Sequence, residues 1–459
     1  MISNPKALPW LLLAAAVIVS LYTHFMVFQE WTMPTYGNTF IHVASVRHAI
    51  EYGDYPRIDY SYGGGIPNLY VPFYRIFIAN AALLTGLSID FVSRMAVMLF
   101  ALILPLAFYS LARRMFGVEA GLFAAFFASL PGELLIYSVR PLPQSLGMAL
   151  LPIAFLAIYS EKTRVALFLS FSIALVHQEA AVFLAGVALG YFLLVMASFA
   201  ATYLFGGWKA VNGAGGQLPD FFEQKRGARL AFYCFAVCAA AYLLWHFSVM
   251  NSFNIFELAQ FKNHEGGIVS GESFFSKTGV VVIALSSLGL LLALRGMLRD
   301  FLAPFCVKED WLEIGESTLV LALVSASAFF WLNGFSVSYT AAAAPYHGFN
   351  LWALSSFGVP YAFLNAGLAV LLGIVASVFV QASASRGALF EIPAFPHYFA
   401  FAIFFTGLFA TQNHLVGIRV FMDRFLVYLQ EPLVLLAALG AFSLCSFFQS
   451  ANKPVSSQS

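Results

Sequence analysis

Four short stretches of this 459-residue chain carry side chains able to move a proton or hold an anion. The first runs Gly37-Asn38-Thr39-Phe40-Ile41-His42, then Arg47, His48 and Glu51, then Gly53-Asp54-Tyr55-Pro56-Arg57-Ile58-Asp59. Two imidazoles and three carboxylates in one run suit general acid–base chemistry. Arg47 and Glu51, at i and i+4, also suit a helical salt bridge, and Asp54 and Asp59 beside a proline also suit turn capping. The second is Pro131-Gly132-Glu133 through Arg140-Pro141-Leu142-Pro143-Gln144, where Glu133 and Arg140 either act on a ligand or neutralise each other. The third is His177-Gln178-Glu179. The fourth is Arg419 and Asp423-Arg424, followed by Tyr428 and Glu431-Pro432. Arginine presents a planar fork matched to phosphate. An interfacial anchor or a neutral Asp423–Arg424 pair is the plainer alternative. Tyr339 and Pro345-Tyr346-His347 suit either a sugar cleft or an aromatic belt at a membrane surface.

The chain around these stretches is 61% hydrophobic and 10% charged, against about 45–50% and about 25% for soluble domains. That composition excludes a soluble enzyme, a nucleic-acid binder and a disordered scaffold. With 23 basic and 22 acidic residues, the net charge of +1 offers no field for polyanions. Fifty phenylalanines suit contact with lipid. Cys234, Cys238, Cys306 and Cys445 fit no metal spacing, and Cys234 and Cys238 sit i,i+4 in an apolar run where they pack rather than bridge.

A helix crossing roughly 30 Å of hydrocarbon needs about 20 apolar residues. By that measure the chain reads as an all-α polytopic membrane protein with about twelve spans: 7–28, 90–112, 117–131, 143–159, 165–177, 179–205, 229–249, 278–298, 317–334, 358–381, 396–411 and 424–448. The first reads as uncleaved, and both termini as cytoplasmic. The apolar run from Val165 to Phe205 is twice a span, so the chain must reverse at His177 and present the His-Gln-Glu triplet at the outer surface. Residues 29–88 form a first outer loop holding an amphipathic helix over 40–52. The run 68–87 is placed as an interfacial helix, because a span there would move Arg113 and Arg114 off the cytoplasmic side preferred by basic residues. Loops 206–228 and 299–316 read as polar cytoplasmic linkers, and residues 1–459 as one transmembrane domain without a separate soluble one.

Several segments resemble the GT-C superfamily of membrane glycosyltransferases, which includes oligosaccharyltransferase catalytic subunits, protein O-mannosyltransferases and lipid A aminoarabinose transferases. Asn38-x-x-x-His42 followed by Gly53-Asp54-Tyr55-Pro56 is similar to its first outer loop, with an acidic residue before a His-bearing helix. Tyr62-Gly63-Gly64-Gly65-Ile66-Pro67 through Tyr70-Val71-Pro72 resembles the segment opening its interfacial helix. Arg94, Leu111-Ala112-Arg113-Arg114-Met115-Phe116-Gly117, and Arg424 through Tyr428 to Glu431-Pro432 and Gly440 resemble later motifs. More narrowly, the chain looks like prokaryotic members of the plasma membrane.

The resemblance implies a sugar donor on polyprenyl phosphate, an unspecified acceptor, the bilayer as partner, and a divalent cation (Mg or Mn) as cofactor. It assigns the donor phosphate to Arg424, with Arg419 or Arg140 second. The base is Asp54 or Asp59, with Glu133 or His177 as alternatives, and His42, Glu179 and His347 take acceptor or sugar positions. One position departs from the family: the acidic residue four before the His is Asn38, whose amide accepts a hydrogen bond but takes no proton. A catalytically degenerate relative acting as scaffold or subunit is therefore the second reading. A lipid or solute transporter is the third, disfavoured by the scarcity of mid-span charge.

Overall fold

The structure, a computed structural model, describes residues 7–30, 37–59, 66–68, 70–213, 218–250, 269, 271–302, 318, 321–322, 325, 370–371, 374, 395–413 and 422–451. Apolar runs in lipid must satisfy their own backbone, and these do so as helices. Six described helices are long and apolar enough to cross a membrane: α1 (Leu8–Glu30), α4 (Ile89–Phe116), α9 (Gln178–Gly213), α10 (Leu218–Met250), α12 (Val280–Leu302) and α14 (Leu426–Ala451). A helix pair, α5 (Val118–Phe127) and α6 (Gly132–Ser138), passes the same test of length and apolarity when taken together, bent by 71° at a break that ends on Pro131. Shorter helices complete the set: α2 (Gly37–Tyr52), α3 (Phe73–Thr85), α7 (Pro143–Tyr159), α8 (Thr163–Val176), α11 (Gly271–Thr278) and α13 (Phe395–Thr411). The chain is a multi-pass membrane protein. Spans expected at 317–334 and 358–381 lie outside the described residues except for isolated helical positions.

Helix boundaries follow local chemistry. Ser88 caps α4 by accepting the Phe91 N–H at 3.3 Å, and Asp90 near its start and Arg113 and Arg114 at its end complement the helix dipole. Gly117, at φ 104°, supplies the turn from α4 into α5. The expected linker 206–228 is corrected: α9 continues to Gly213 and α10 begins at Leu218. Polarity marks where lipid contact stops, whereas residues such as Glu223, Gln224, Lys225 and Ala228 remain good helix formers in water.

Two compact units divide the chain. The first holds residues 1–193, 225–264 and 427–431. Within it α4 packs on α1, α5 and α7, α7 on α8, and α2 on α3. Val46, Tyr74, Ile78, Val92, Phe100 and Ala149 close one core shared by α2, α3, α4 and α7. A two-stranded antiparallel ribbon, β1 (Ile58–Asp59) with β2 (Ile66–Pro67), leads into α3.

The two outer-loop helices bury polar groups beside apolar ones. The expected amphipathic helix exists as α2, which buries Thr39, His42, Ser45 and Val46 and turns Phe40, Arg47 and Glu51 outward. Helix α3 buries Tyr74, Ile78, Ala79 and Ala82 and, with them, Arg75 completely, while Phe77, Leu83 and Leu84 remain exposed, Leu84 at 87%. Exposed leucines suit a helix whose outer side meets lipid.

In the second unit α12 packs against α13, and α12 meets α14 through two glycines. A Cβ on Gly289 would lie 1.9 Å from the Leu436 carbonyl oxygen, and one on Gly440 would lie 2.1 Å from that of Leu285. Gly296 gives the same close passage to the ring of His397. In a helix interior Gly→Ala ordinarily stabilises by about 0.5–1 kcal/mol. At Gly289 the added methyl would enter a backbone oxygen, so Gly289→Ala is expected to destabilise by about 1–3 kcal/mol instead. A lower thermal midpoint in detergent checks this, and an unchanged or raised midpoint would show that the helices do not cross there.

Candidate active site

The first unit gathers polar groups from segments far apart in sequence. α8 ends at Val176, and His177 follows in extended conformation (φ −156°, ψ 127°) before α9 starts at Gln178. The forced reversal is thus a single residue. Gly147 makes room for it, since a Cβ there would stand 3.3 Å from that of His177 and 2.9 Å from that of Ala180. His177 Nδ1 lies 3.0 Å from the hydroxyl of Tyr428, near the start of α14. Glu179, in the first turn of α9, is buried, and it and Glu431 act electrostatically on the same tyrosine. Both carboxyl oxygens of Glu431 are buried without a hydrogen-bond partner. One residue earlier on α14, Gln430 accepts the Leu134 N–H at 2.8 Å. That bond pins the start of α6, where Glu133 is also buried.

The first outer loop, in the same unit, gathers a second polar group. Arg75, 0% exposed, donates from Nε to His42 Nδ1 at 3.0 Å and from Nη1 to Asn68 Oδ1 at 3.3 Å and the Tyr55 hydroxyl. Asn68 is held by the ribbon: its N–H donates to Arg57 O and its amide to Pro56 O, each at 2.8 Å. Tyr55 donates in turn to Tyr70 O at 3.0 Å. The guanidinium carbon stands 5.6 Å from the Tyr55 ring centroid and 5.1 Å from that of Tyr70, a stacking geometry that favours a cation. Burial, then the Arg75 charge, then His177 push the His42 imidazole well below its ordinary range. His42 is therefore neutral, with Nδ1 accepting from arginine and Nε2 carrying the proton.

The expected site residues fall unevenly. His42, His177 and Glu179 join this assembly, and Glu133 lies where α6 is pinned to α14. Arg140 stacks over the ring of Tyr137 at 4.9 Å. Asp54 is exposed and paired with His48 at 3.2 Å, whereas Arg47 and Glu51, for which a helical pair is one of two readings, both face outward. Asn38 and Asp59 are placed by their backbones, in α2 and β1, and their side chains lie outside the described residues. Arg424 sits in the turn before α14, its N–H donating to the Asp423 carboxylate at 2.9 Å, in the second unit. Arg419 and His347 lie outside the described residues. Arg75, Tyr55, Asn68 and Tyr428 are the members the sequence reading did not choose. The signal for Arg75 was present, as a charge inside an apolar run.

No group of three or more His, Cys, Asp or Glu among the described residues is arranged to hold a metal. His42 gives its Nδ1 to a guanidinium, a neighbour that repels a cation. At the expected position the side chains of Asn38 and Asp59 lie outside the described residues, and a divalent ion there would draw on oxygen donors such as theirs.

His42 carries a pH signature. It binds its proton less readily folded than unfolded, so unfolding takes up a proton once the pH falls below about 6.5, the ordinary value. This stability is complete above that value and is lost on acidification, by up to about 1.4 kcal/mol per pH unit. His42→Gln, whose amide can still accept from Arg75, is expected to show a shallower fall in thermal midpoint from pH 7.5 to 5. Equal slopes in both proteins would mean that His42 titrates normally.

No protein-family model matches the sequence, and no curated protein matches it. Solved structures do. The archaeal oligosaccharyltransferase AglB from Archaeoglobus fulgidus, in complex with an inhibitory peptide and a dolichol-phosphate, superposes with a TM-score of 0.50 at 14% identity, over 99% of this chain and 52% of that one. The same organism's enzyme tethered to an acceptor peptide gives 0.46 at 14% identity over 98% and 51%. ArnT from Cupriavidus metallidurans bound to undecaprenyl phosphate gives 0.37 at 15% identity over 96% and 78%. The chain spans about half the length of the oligosaccharyltransferase it resembles. At such identity the first of these likenesses speaks to fold: the chain has a GT-C-like membrane fold.

Proposed function

We propose that this protein transfers a sugar from a polyprenyl-phosphate-linked donor to an acceptor at the outer face of a prokaryotic plasma membrane, from a twelve-span frame with both termini cytoplasmic. One observation carries the reading: the first outer loop, the His177 reversal and the start of the last helix meet within one unit. The field of His177 reaches His42, and the His177 ring touches Tyr428. A membrane protein has little reason to gather buried imidazoles, a guanidinium and carboxyl groups from three distant segments unless they act on something.

The chemistry needs one bond made and one broken. An acceptor oxygen attacks the anomeric carbon of the donor, the bond from that carbon to the phosphate oxygen breaks, and polyprenyl phosphate leaves with the electron pair. The acceptor's proton passes to a base. His177 fills that role best, since it is buried beside Tyr428 and Glu179 stands two residues on. Asp54, Asp59 and Glu133 are the alternative bases. Preorganised cations stabilise the leaving phosphate, and Arg424, Arg419 and Arg140 are assigned to it. Asn38 supports the second reading, a degenerate relative serving as scaffold or subunit, because it removes the carboxylate that the resemblance calls for.

Purified protein in lipid nanodiscs, incubated with a panel of polyprenyl-phosphate sugars and candidate acceptors, tests both. Turnover is expected in the wild type. It should fall by about 10²–10⁴-fold in His177→Ala, the range for loss of a general base, and disappear in Arg424→Ala with the fold intact. Full turnover in His177→Ala would move the base elsewhere. Absence of turnover with every donor would favour the scaffold reading.

A further inference from the structure

Two imidazoles from distant segments stand close enough for their charges to interact: His42 on α2 and His177 at the reversal between α8 and α9. Left alike, such a pair titrates as a coupled unit, and neither ring holds a defined duty. Sites that do acid–base chemistry instead keep their titratable groups in unlike environments. Here the element that makes them unlike is Arg75.

An arginine only donates hydrogen bonds, and it stays charged at every working pH. Arg75 Nε donates to His42 Nδ1 at 3.0 Å, so that nitrogen must keep its lone pair. The neutral ring then carries its proton on Nε2. A second proton has no place, because Nδ1 is taken and the buried guanidinium repels an imidazolium. The arginine is itself held in this pose. Its Nη1 donates to Asn68 Oδ1 at 3.3 Å and to the Tyr55 hydroxyl, and its guanidinium carbon lies over the Tyr55 and Tyr70 rings.

The remaining described groups around His42 leave this state undisturbed. Tyr70 and Tyr74 meet it edge-on, with ring centroids at 5.2 and 6.1 Å. Helix α4 brings Val92, Ala96 and Phe100 to the core it shares with α2, and these carry no charge. His177 is held differently. Its Nδ1 lies 3.0 Å from the Tyr428 hydroxyl, a group that can donate or accept, so this ring can gain a proton without losing its partner.

We propose that Arg75 is a positioning residue that divides the duties of the two imidazoles: it locks His42 as a neutral ring with Nε2 as its only proton donor, and it leaves His177 to receive the acceptor's proton. The second half rests on the transfer reading, whereas the lock stands without it.

The test uses the full chain in nanodiscs with isotopically labelled histidine and reads ring-nitrogen NMR shifts. His42→Gln and His177→Gln identify the two signals. Wild-type His42 is expected to show a protonated Nε2 and a bare Nδ1, unchanged from about pH 7.5 to about 5.5, the range in which a free imidazole gains its proton. In Arg75→Met, which removes the donor, the two tautomers should mix and the ring should titrate across that range. Arg75→Lys returns a cationic donor and should restore the single tautomer. Where turnover is measured, the pH profile of kcat/KM in Arg75→Met should gain an ionisation that the wild type and Arg75→Lys both lack. A wild-type His42 that carries its proton on Nδ1, or titrates as a free imidazole does, would overturn the lock. That spectrum decides alone should Arg75→Met not fold. Equal spectra in wild type and a folded Arg75→Met would show that the arginine does not set the state of the ring. Full turnover in His177→Ala would overturn the division of duties. No turnover with any donor would overturn the transfer reading and the duty given to His177, while the spectrum still decides the lock.

Discussion

A guanidinium sealed from solvent and answered, among the described residues, by neutral acceptors is the constraint around which the first outer loop is organised. Arg75 reaches no carboxylate among the described residues, so the neighbours described supply an oxygen, a lone pair or a ring face. His42 supplies the lone pair, and this fixes its tautomer. Tyr55 and Tyr70 supply faces, and the short ribbon exists at the place where it turns Asn68 toward the same charge. The loop is long and rich in glycine and tyrosine, yet its described part folds tightly around one ion.

The same constraint explains what each helix buries. Thr39, His42 and Ser45 on α2 and Arg75 on α3 lie on faces that also carry Val46, Tyr74 and Ile78, so the polar groups are embedded beside an apolar core. The leucines of α3 face outward, an arrangement that suits apolar surroundings.

Some of this was legible in the sequence and some was not, for physical reasons. The reversal at His177 was, because about forty apolar residues cannot cross a bilayer once, and the structure places the turn on that residue. The ends of α9 and α10 were not, because hydropathy reports lipid contact and helix propensity persists beyond it. Arg75 was visible only as an awkward charge in an apolar run. What gives it meaning is His42, 33 positions away, and sequence spacing holds no record of that contact. Tyr428 is 251 positions from His177, so its hydroxyl reads as one more aromatic in an apolar helix until the fold brings the two together. Asp54, chemically the most inviting carboxylate, proves to be an exposed partner of His48.

The outward leucines of α3 have a consequence for handling the molecule. Whatever amphiphile covers Leu83 and Leu84 covers the helix that carries the buried arginine. A detergent that packs loosely there leaves apolar surface in contact with water and loosens the helix on which Arg75 is held.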